Sequence, residues 1–265
     1  MIYEGNLKKM RTIHESPVKY YLTLGEEEIN MNSLIGKQVN INYNGRINCI
    51  RCNTLTQKSF HQGYCYSCFI SSPECDAGVL NPEKDQAHLG ISRDMEWAKQ
   101  NSLIDHYVYL AITGNLKVGV TRHTQIPFRW IDQGAWQAIV LAITPNRFIA
   151  GSIEVALKKH FQDKTNWRIM LSSANHNGFD LVKEKEKALK LLHPDFQKYG
   201  FADDSITEIH YPVVGYPVKV KSVGFDKQPV IRGILTGIKG QYLMFRSGEV
   251  LNIRKHGGYL VDLSF

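Results

Sequence analysis

The chain has 265 residues, with 32 Lys plus Arg against 25 Asp plus Glu, a formal charge of +7 and a pI near 9.0. A hydrophobic content of 43% is enough to bury a core and to divide into two or three modules. No apolar run is long enough to span a bilayer, which excludes a helical membrane protein. The opening MIYEGNLKKM lacks the apolar stretch of a signal peptide, so a cytoplasmic protein is expected. The excess of basic residues suits a polyanionic partner without requiring one.

Residues 1–48 alternate in the manner of strands. Val18–Leu24, Glu28–Asn32 and Lys37–Ile47 are separated by turns at Gly25, Gly36 and Asn44-Gly45, which predicts a small antiparallel sheet. Cys49-Ile-Arg-Cys52 and Cys65-Tyr-Ser-Cys68 follow, with twelve residues between the pairs. Each Cys-x-x-Cys turn puts two thiolates on one side, and two such turns supply the four tetrahedral ligands of a structural Zn2+ in a zinc ribbon. The alternatives are an iron–sulfur cluster or reduced, unligated thiols. Cys75 stands apart. With His61 and His88 it is either part of a second metal site or, as the commoner case, a buried thiol beside ordinary histidines.

From Asn81 to Gln100 the pattern is polar and helical, with Pro82-Glu83 as a start, a break at Gly90 and Ser92 as a cap for RDMEWAKQ. Two β-rich runs, Tyr107–Ile112 and Leu116–Thr121, are then joined by Thr113-Gly114-Asn115, the chemistry of a tight hairpin. A short helix with Pro127 in its first turn and Gly134 as its stop leads into a buried strand, Ala138–Ile143. A helix from about Arg147 to Phe161 completes the unit. Asp163-Lys164-Thr165-Asn166-Trp167 reads as a polar turn. The segment Gly178–Phe196 reads as an amphipathic helix, apolar at Leu181, Val182, Ala188, Leu189 and Leu192, with an exposed KEKEK face and a stop at Pro194.

Polar groups fall where that layout does not need them. Tyr107 and Tyr109 share one face of their strand. Lys117 lies between Leu116 and Val118, Arg129 sits within Phe-Arg-Trp, and Glu154 shares a helical stripe with Arg147, Ala150, Gly151 and Lys158. Ala150 and Gly151 suggest room for a ligand to approach the Glu154 carboxylate. Taken singly, these residues have structural explanations: packed tyrosines, a snorkelling lysine, and an Arg129 paired with Asp132 or Glu154.

From Tyr211 onward five short β segments with glycine-rich turns suggest a small barrel or part of one. Lys219, Lys221, Arg232, Lys239, Arg246, Arg254 and Lys255, with Tyr242 and Phe245, are compatible with a surface that tracks a nucleic-acid backbone.

The central pattern resembles the GIY-YIG endonuclease core. YVYL (Tyr107–Leu110) stands at its first segment, KVGVT (Lys117–Thr121) at its second, Arg129 at its helix arginine and Glu154 at its metal-binding glutamate. Lys117 stands where these nucleases carry their second tyrosine, and the hairpin is shorter than theirs. Over its whole length the chain resembles a bacterial family known as a domain of unknown function, through GYCYSC, NPEKDQAHLGISRDMEW, RWIDQGA and DKTNWR.

The expected fold is therefore α+β. A GIY-YIG-like small mixed sheet with helices (101–205) is preceded by a β segment (1–48) and a zinc ribbon with helical linker (49–100), and followed by a small barrel-like segment (206–265). The resemblance implies phosphodiester hydrolysis of DNA or RNA. In that scheme Glu154 holds Mg2+ or Mn2+, Arg129 clamps the phosphate with help from Thr121 and Arg122, and Tyr107, Tyr109 or Lys117 accepts a proton from water. Asn166 matches a late asparagine of some such nucleases, or is simply a cap. The alternative is a non-catalytic, zinc-containing scaffold that binds nucleic acid or protein.

Overall fold

The structure, a computed structural model, describes residues 2–162, 164–172 and 178–265. The chain forms two compact units. One comprises 1–70, 171–174 and 209–265, and the other 71–170 and 175–208.

In the first unit the two ends of the chain share a sheet. Ile2–Asn6 pairs antiparallel with Tyr259–Ser264, which pairs with the long strand Gln38–Asn48, which in turn pairs with Val230–Lys239. Tyr242–Phe245, Glu249–Asn252 and the parallel edge strand Lys221–Val223 continue it to eight strands, Leu55–Thr56 being attached to the long strand. All five C-terminal strands form, yet they do not close into the expected barrel. Their free edge is taken by Gln38–Asn48, so an open sheet satisfies the same backbone groups. A separate sheet, Arg11–Ile13, Lys19–Leu24 and Glu27–Asn30, has the alternating burial of a strand with one face on the core. Buried Gln241 accepts from the Met10 N–H at 2.9 Å and donates to the Met10 carbonyl at 3.2 Å, fastening a crossing that no local signal reveals.

The second unit carries the hairpin. His106–Ile112 and Leu116–Arg122 are joined through Thr113, whose N–H donates to the Asn115 carbonyl at 3.0 Å. Gln137–Thr144 pairs on the other side of the first strand, with Ile206–Glu208 beyond it. Every pair of named strands here is antiparallel, where a mixed sheet was expected: Leu116–Arg122 and Gln137–Thr144 run the same way, but His106–Ile112 lies between them and pairs antiparallel with both. Val108, Leu110, Val118 and Val120 make a core with Ala150, Ile153 and Leu157 of the helix Arg147–Leu157 and with Leu181 and Ala188 of the helix Leu181–Leu191. Asn146 caps the first of these helices, accepting from the Ile149 N–H at 3.0 Å.

Several local expectations shift. Asp94 rather than Ser92 caps the helix Met95–Asn101. Pro194 opens a further helical turn, Pro194–Gln197. Lys185 of the KEKEK run is buried, donating to the Asp203 carbonyl at 2.7 Å and pairing with Asp204 at 2.8 Å. Asp163 of the polar turn lies outside the described residues.

Candidate metal centre and hairpin site

The long strand Gln38–Asn48 delivers Cys49 to a tight turn. Asn53 takes the left-handed conformation at φ 58°, which asparagine tolerates, and its N–H closes the turn on the Cys49 carbonyl at 2.9 Å. The second pair is built differently from a ribbon knuckle. Cys65 immediately precedes the helix Tyr66–Ser71 and Cys68 lies on its first turn, with the Phe69 N–H on the Cys65 carbonyl at 2.9 Å and the Cys68 N–H 3.5 Å from Cys65 Sγ. Turn and helix bring all four sulfurs within 4.8 Å of one another. The Cys52–Cys65 separation of 3.7 Å matches the edge of a tetrahedron with metal–sulfur bonds of about 2.3 Å, roughly 3.8 Å.

Their acidities are driven apart. Hydrogen bonding by Thr54 pulls the Cys52 thiol down to about 6. Burial, and then its neighbouring sulfurs, push the Cys68 thiol up to about 12. Four thiolates at these distances repel one another unless a cation sits among them, so the group could hold a metal ion such as zinc. It is the one such cluster found among the described residues. His61 packs on Tyr64 and Phe69 in the first unit, while His88 stacks on Phe148 at 4.3 Å in the second. Neither histidine nor Cys75 belongs to a cluster of three or more possible metal ligands among the described residues.

In the hairpin, register places Tyr107 opposite Thr121, Tyr109 opposite Gly119 and Ala111 opposite Lys117, all on the face away from Val108, Leu110 and Val118. Tyr109 is fully buried, edge-on to Trp130 at 5.8 Å, and its hydroxyl donates to Gln133 Oε1 at 2.8 Å. Gly119 makes room for it: a Cβ there would lie 2.6 Å from the tyrosine oxygen. Burial raises the Tyr109 phenol, the Arg129 charge and hydrogen bond oppose that rise, and the Glu154 charge adds to it. Arg129, from the helix Phe128–Asp132, and Glu154, from the helix Arg147–Leu157, thus both act on the strand residue Tyr109.

The other candidates are placed less centrally. Lys117 is buried on the Tyr109 face, and Tyr107 is half-buried beside Thr121. The Thr121 hydroxyl donates to the Arg122 carbonyl at 3.4 Å, and Arg122 donates to the Asn101 side chain. Glu154 is 9% exposed, with one oxygen 3.9 Å from Lys158 Nζ. The small residues before it do not open a path. Ala150 lies in the core, and Gly151 accommodates the backbone of Pro82 and Glu83, which a Cβ would meet at 2.3–2.4 Å. Asn166 serves as a cap, its Oδ1 accepting from the Arg168 N–H at 3.1 Å.

Sequence reasoning missed three contributors. Arg147 was seen only as part of a stripe, yet its guanidinium donates to the Gly78 and Val79 carbonyls at 2.7 and 2.6 Å. Burial brings it down to about 10, opposed by Asp85 and assisted by the Arg129 and Arg122 charges, with Glu154 also within electrostatic reach. His106 shares a proton with the Ile104 carbonyl through Nδ1 at 2.8 Å, leaving Nε2 3.5 Å from Arg147 as an acceptor. Gln133 was not noticed at all. One sequence signal could have exposed Arg147: it occupies the first position of its helix, where the helix dipole disfavours a cation. Conversely, Lys239 and Phe245, taken for a nucleic-acid surface, are buried, Lys239 between the Tyr211 and Tyr216 rings at 5.4 and 5.3 Å.

A sequence family described as "Protein of unknown function (DUF2797)" matches residues 36–261, and the chain belongs to that family. No curated protein and no solved structure matches it. Among the described residues, no helix is long and apolar enough to cross a membrane.

Proposed function

We propose that this protein binds nucleic acid and hydrolyses its phosphodiester bonds with Mg2+ or Mn2+, its four cysteines holding a structural zinc ion. The observation that carries the reading is that the buried Tyr109 hydroxyl, hydrogen-bonded to Gln133 at the end of the arginine helix, lies within electrostatic reach of both Arg129 and Glu154. Tyr109, Arg129 and Glu154 are three of the positions on which the GIY-YIG resemblance rests.

Arg129, half-exposed, offers paired N–H donors to a phosphate. Tyr109, kept protonated by burial, orients Gln133 and so braces the end of the arginine helix. Lys117 or Tyr107, on the same face, is left to take the proton from the attacking water. Glu154 offers the single carboxylate needed by a Mg2+ that completes its shell with water and phosphate oxygens. When bound, that cation supplies charge stabilisation for the leaving oxygen. Beyond the helix, a cavity of about 380 Å³ lined by Lys158, Lys159, His160 and Lys164 suits the adjoining backbone phosphates.

One observation favours a second reading. Glu154 is almost enclosed and lies near Lys158, and Tyr109 is wholly enclosed, as in a frame that binds without cutting. Incubation of the zinc-loaded protein with duplex, branched and single-stranded DNA and with RNA, in Mg2+ or Mn2+, separates the two. Hydrolysis reduced at least about a hundredfold by Glu154→Gln and by Arg129→Ala is expected. Salt-sensitive binding that survives Glu154→Gln, with no product from any substrate, would reject catalysis and leave the binding frame.

A further inference from the structure

We infer that the cysteine finger of the first unit is a stacking platform for unpaired bases, so that the protein engages single-stranded nucleic acid there. This rests on the nucleic-acid reading above and adds to it a location and a form of substrate.

The finger displays rings where a folded chain would ordinarily conceal them. Phe60 stacks on Phe69 with centroids 5.7 Å apart and an interplanar angle of 21°, and meets Tyr66 edge-on at 5.5 Å. Tyr66 is 59% exposed on the first turn of its helix, and Leu55 and Ile70 beside this group in sequence are also exposed. An exposed patch of this kind marks a contact surface.

Its electrostatics select the partner. Between Glu28 and Glu74 the chain has no acidic residue, while Lys37, Arg46, Arg51 and Lys58 all fall in that stretch. A divalent ion on four thiolates carries a formal charge of about −2; Lys37 stands at the far end of the long strand from Cys49, and the three cations nearer the cysteines, Arg46, Arg51 and Lys58, exceed that charge. Lys58 Nζ lies 5.1 Å over the Phe60 ring, and Arg254 is close enough to His61 for its charge to act on the imidazole. Rings flanked by cations, with no carboxylate from the same stretch, match a strand whose bases stack while its phosphates meet the Lys and Arg groups. An apolar protein partner would gain nothing from this charge, and a duplex, with its bases already stacked, would gain nothing from the rings.

The test is fluorescence anisotropy with labelled oligo(dT) and with a duplex of equal length, on the full zinc-loaded chain at two salt concentrations. Tyr66→Ala should weaken oligo(dT) binding about tenfold and leave duplex binding unchanged, as expected from the loss of one stacked base. Tyr66→Trp should restore it, and retained zinc in each variant shows that the finger is still folded. Unchanged oligo(dT) affinity in both Tyr66→Ala and Phe60→Leu overturns the inference, while cleavage that still depends on Glu154 leaves the proposed function standing. Absence of binding to either oligonucleotide at low salt overturns both.

Discussion

The contact between Gly119 and Tyr109 tests the hairpin site without assuming any activity. A methyl group added at position 119 would lie 2.6 Å from both Cζ and Oη of Tyr109, well inside van der Waals contact. The ring cannot swing away cheaply, because it is fully buried, packed edge-on to Trp130 and tied through its hydroxyl to Gln133. Overpacking of this kind costs about 1–3 kcal/mol, against which alanine in a strand recovers roughly 0.5–1 kcal/mol of backbone entropy. We expect Gly119→Ala to destabilise the second unit by about 1–2 kcal/mol. For a unit of roughly 130 residues, that lowers its melting temperature by about 4–7 °C. Trp97, Trp130, Trp136 and Trp167 are the chain's only tryptophans and all lie in this unit, so tryptophan fluorescence follows its unfolding alone. Tyr109→Leu removes the obstacle, and the double variant should therefore cost less than the two single changes together. Strict additivity, or a neutral Gly119→Ala, would refute the packing described between these residues.

Buried His106, brought down to about 4 by desolvation, has a folded pKa below its ordinary value, so the unfolded chain binds the extra proton. Its contribution is complete above about pH 6.5 and is lost as the pH falls towards 4; up to about 3 kcal/mol is at stake, and urea titrations at pH 7 and pH 5 on wild type and His106→Gln should show a shallower pH dependence in the variant. Native mass spectrometry should find one zinc per chain, displaced by acid or chelator and lost in Cys52→Ser; a fully folded finger without metal would oppose a structural role. Arg147→Lys keeps the charge but cannot span the Gly78 and Val79 carbonyls, and should destabilise the second unit by about 1–3 kcal/mol, read by the same fluorescence.

Features decided within a few residues were legible in the sequence. Thr113-Gly114-Asn115, the helix stop at Gly134 and the first cysteine turn each follow from the conformational needs of a short stretch. Pairings over long separations were not: nothing local in Ile2–Asn6 says that it will meet Tyr259–Ser264. The barrel expected at the C-terminus failed for that reason, since its strands find partners from the other end of the chain. Glycine chemistry misled in a similar way. Gly151 looked like space beside Glu154, yet a distant backbone fills it, and periodicity cannot distinguish a gap from a close approach.

Charge around Glu154 explains why a structural and a functional account of the same residues can coexist. Arg147 feels Arg122, Arg129, Asp85 and Glu154 at once, so five ionised groups share one region. Asp85 is committed elsewhere, accepting from the Ser102 hydroxyl at 2.7 Å and the Ala87 N–H at 3.0 Å. Arg147 is likewise spent on two backbone carbonyls. Among these five groups, three guanidinium charges stand against two carboxylates, a positive balance. An added anion can neutralise that balance, whereas a packed apolar side chain cannot, and a phosphodiester carries one negative charge per linkage. Under the proposed function, that balance is what a phosphate would neutralise.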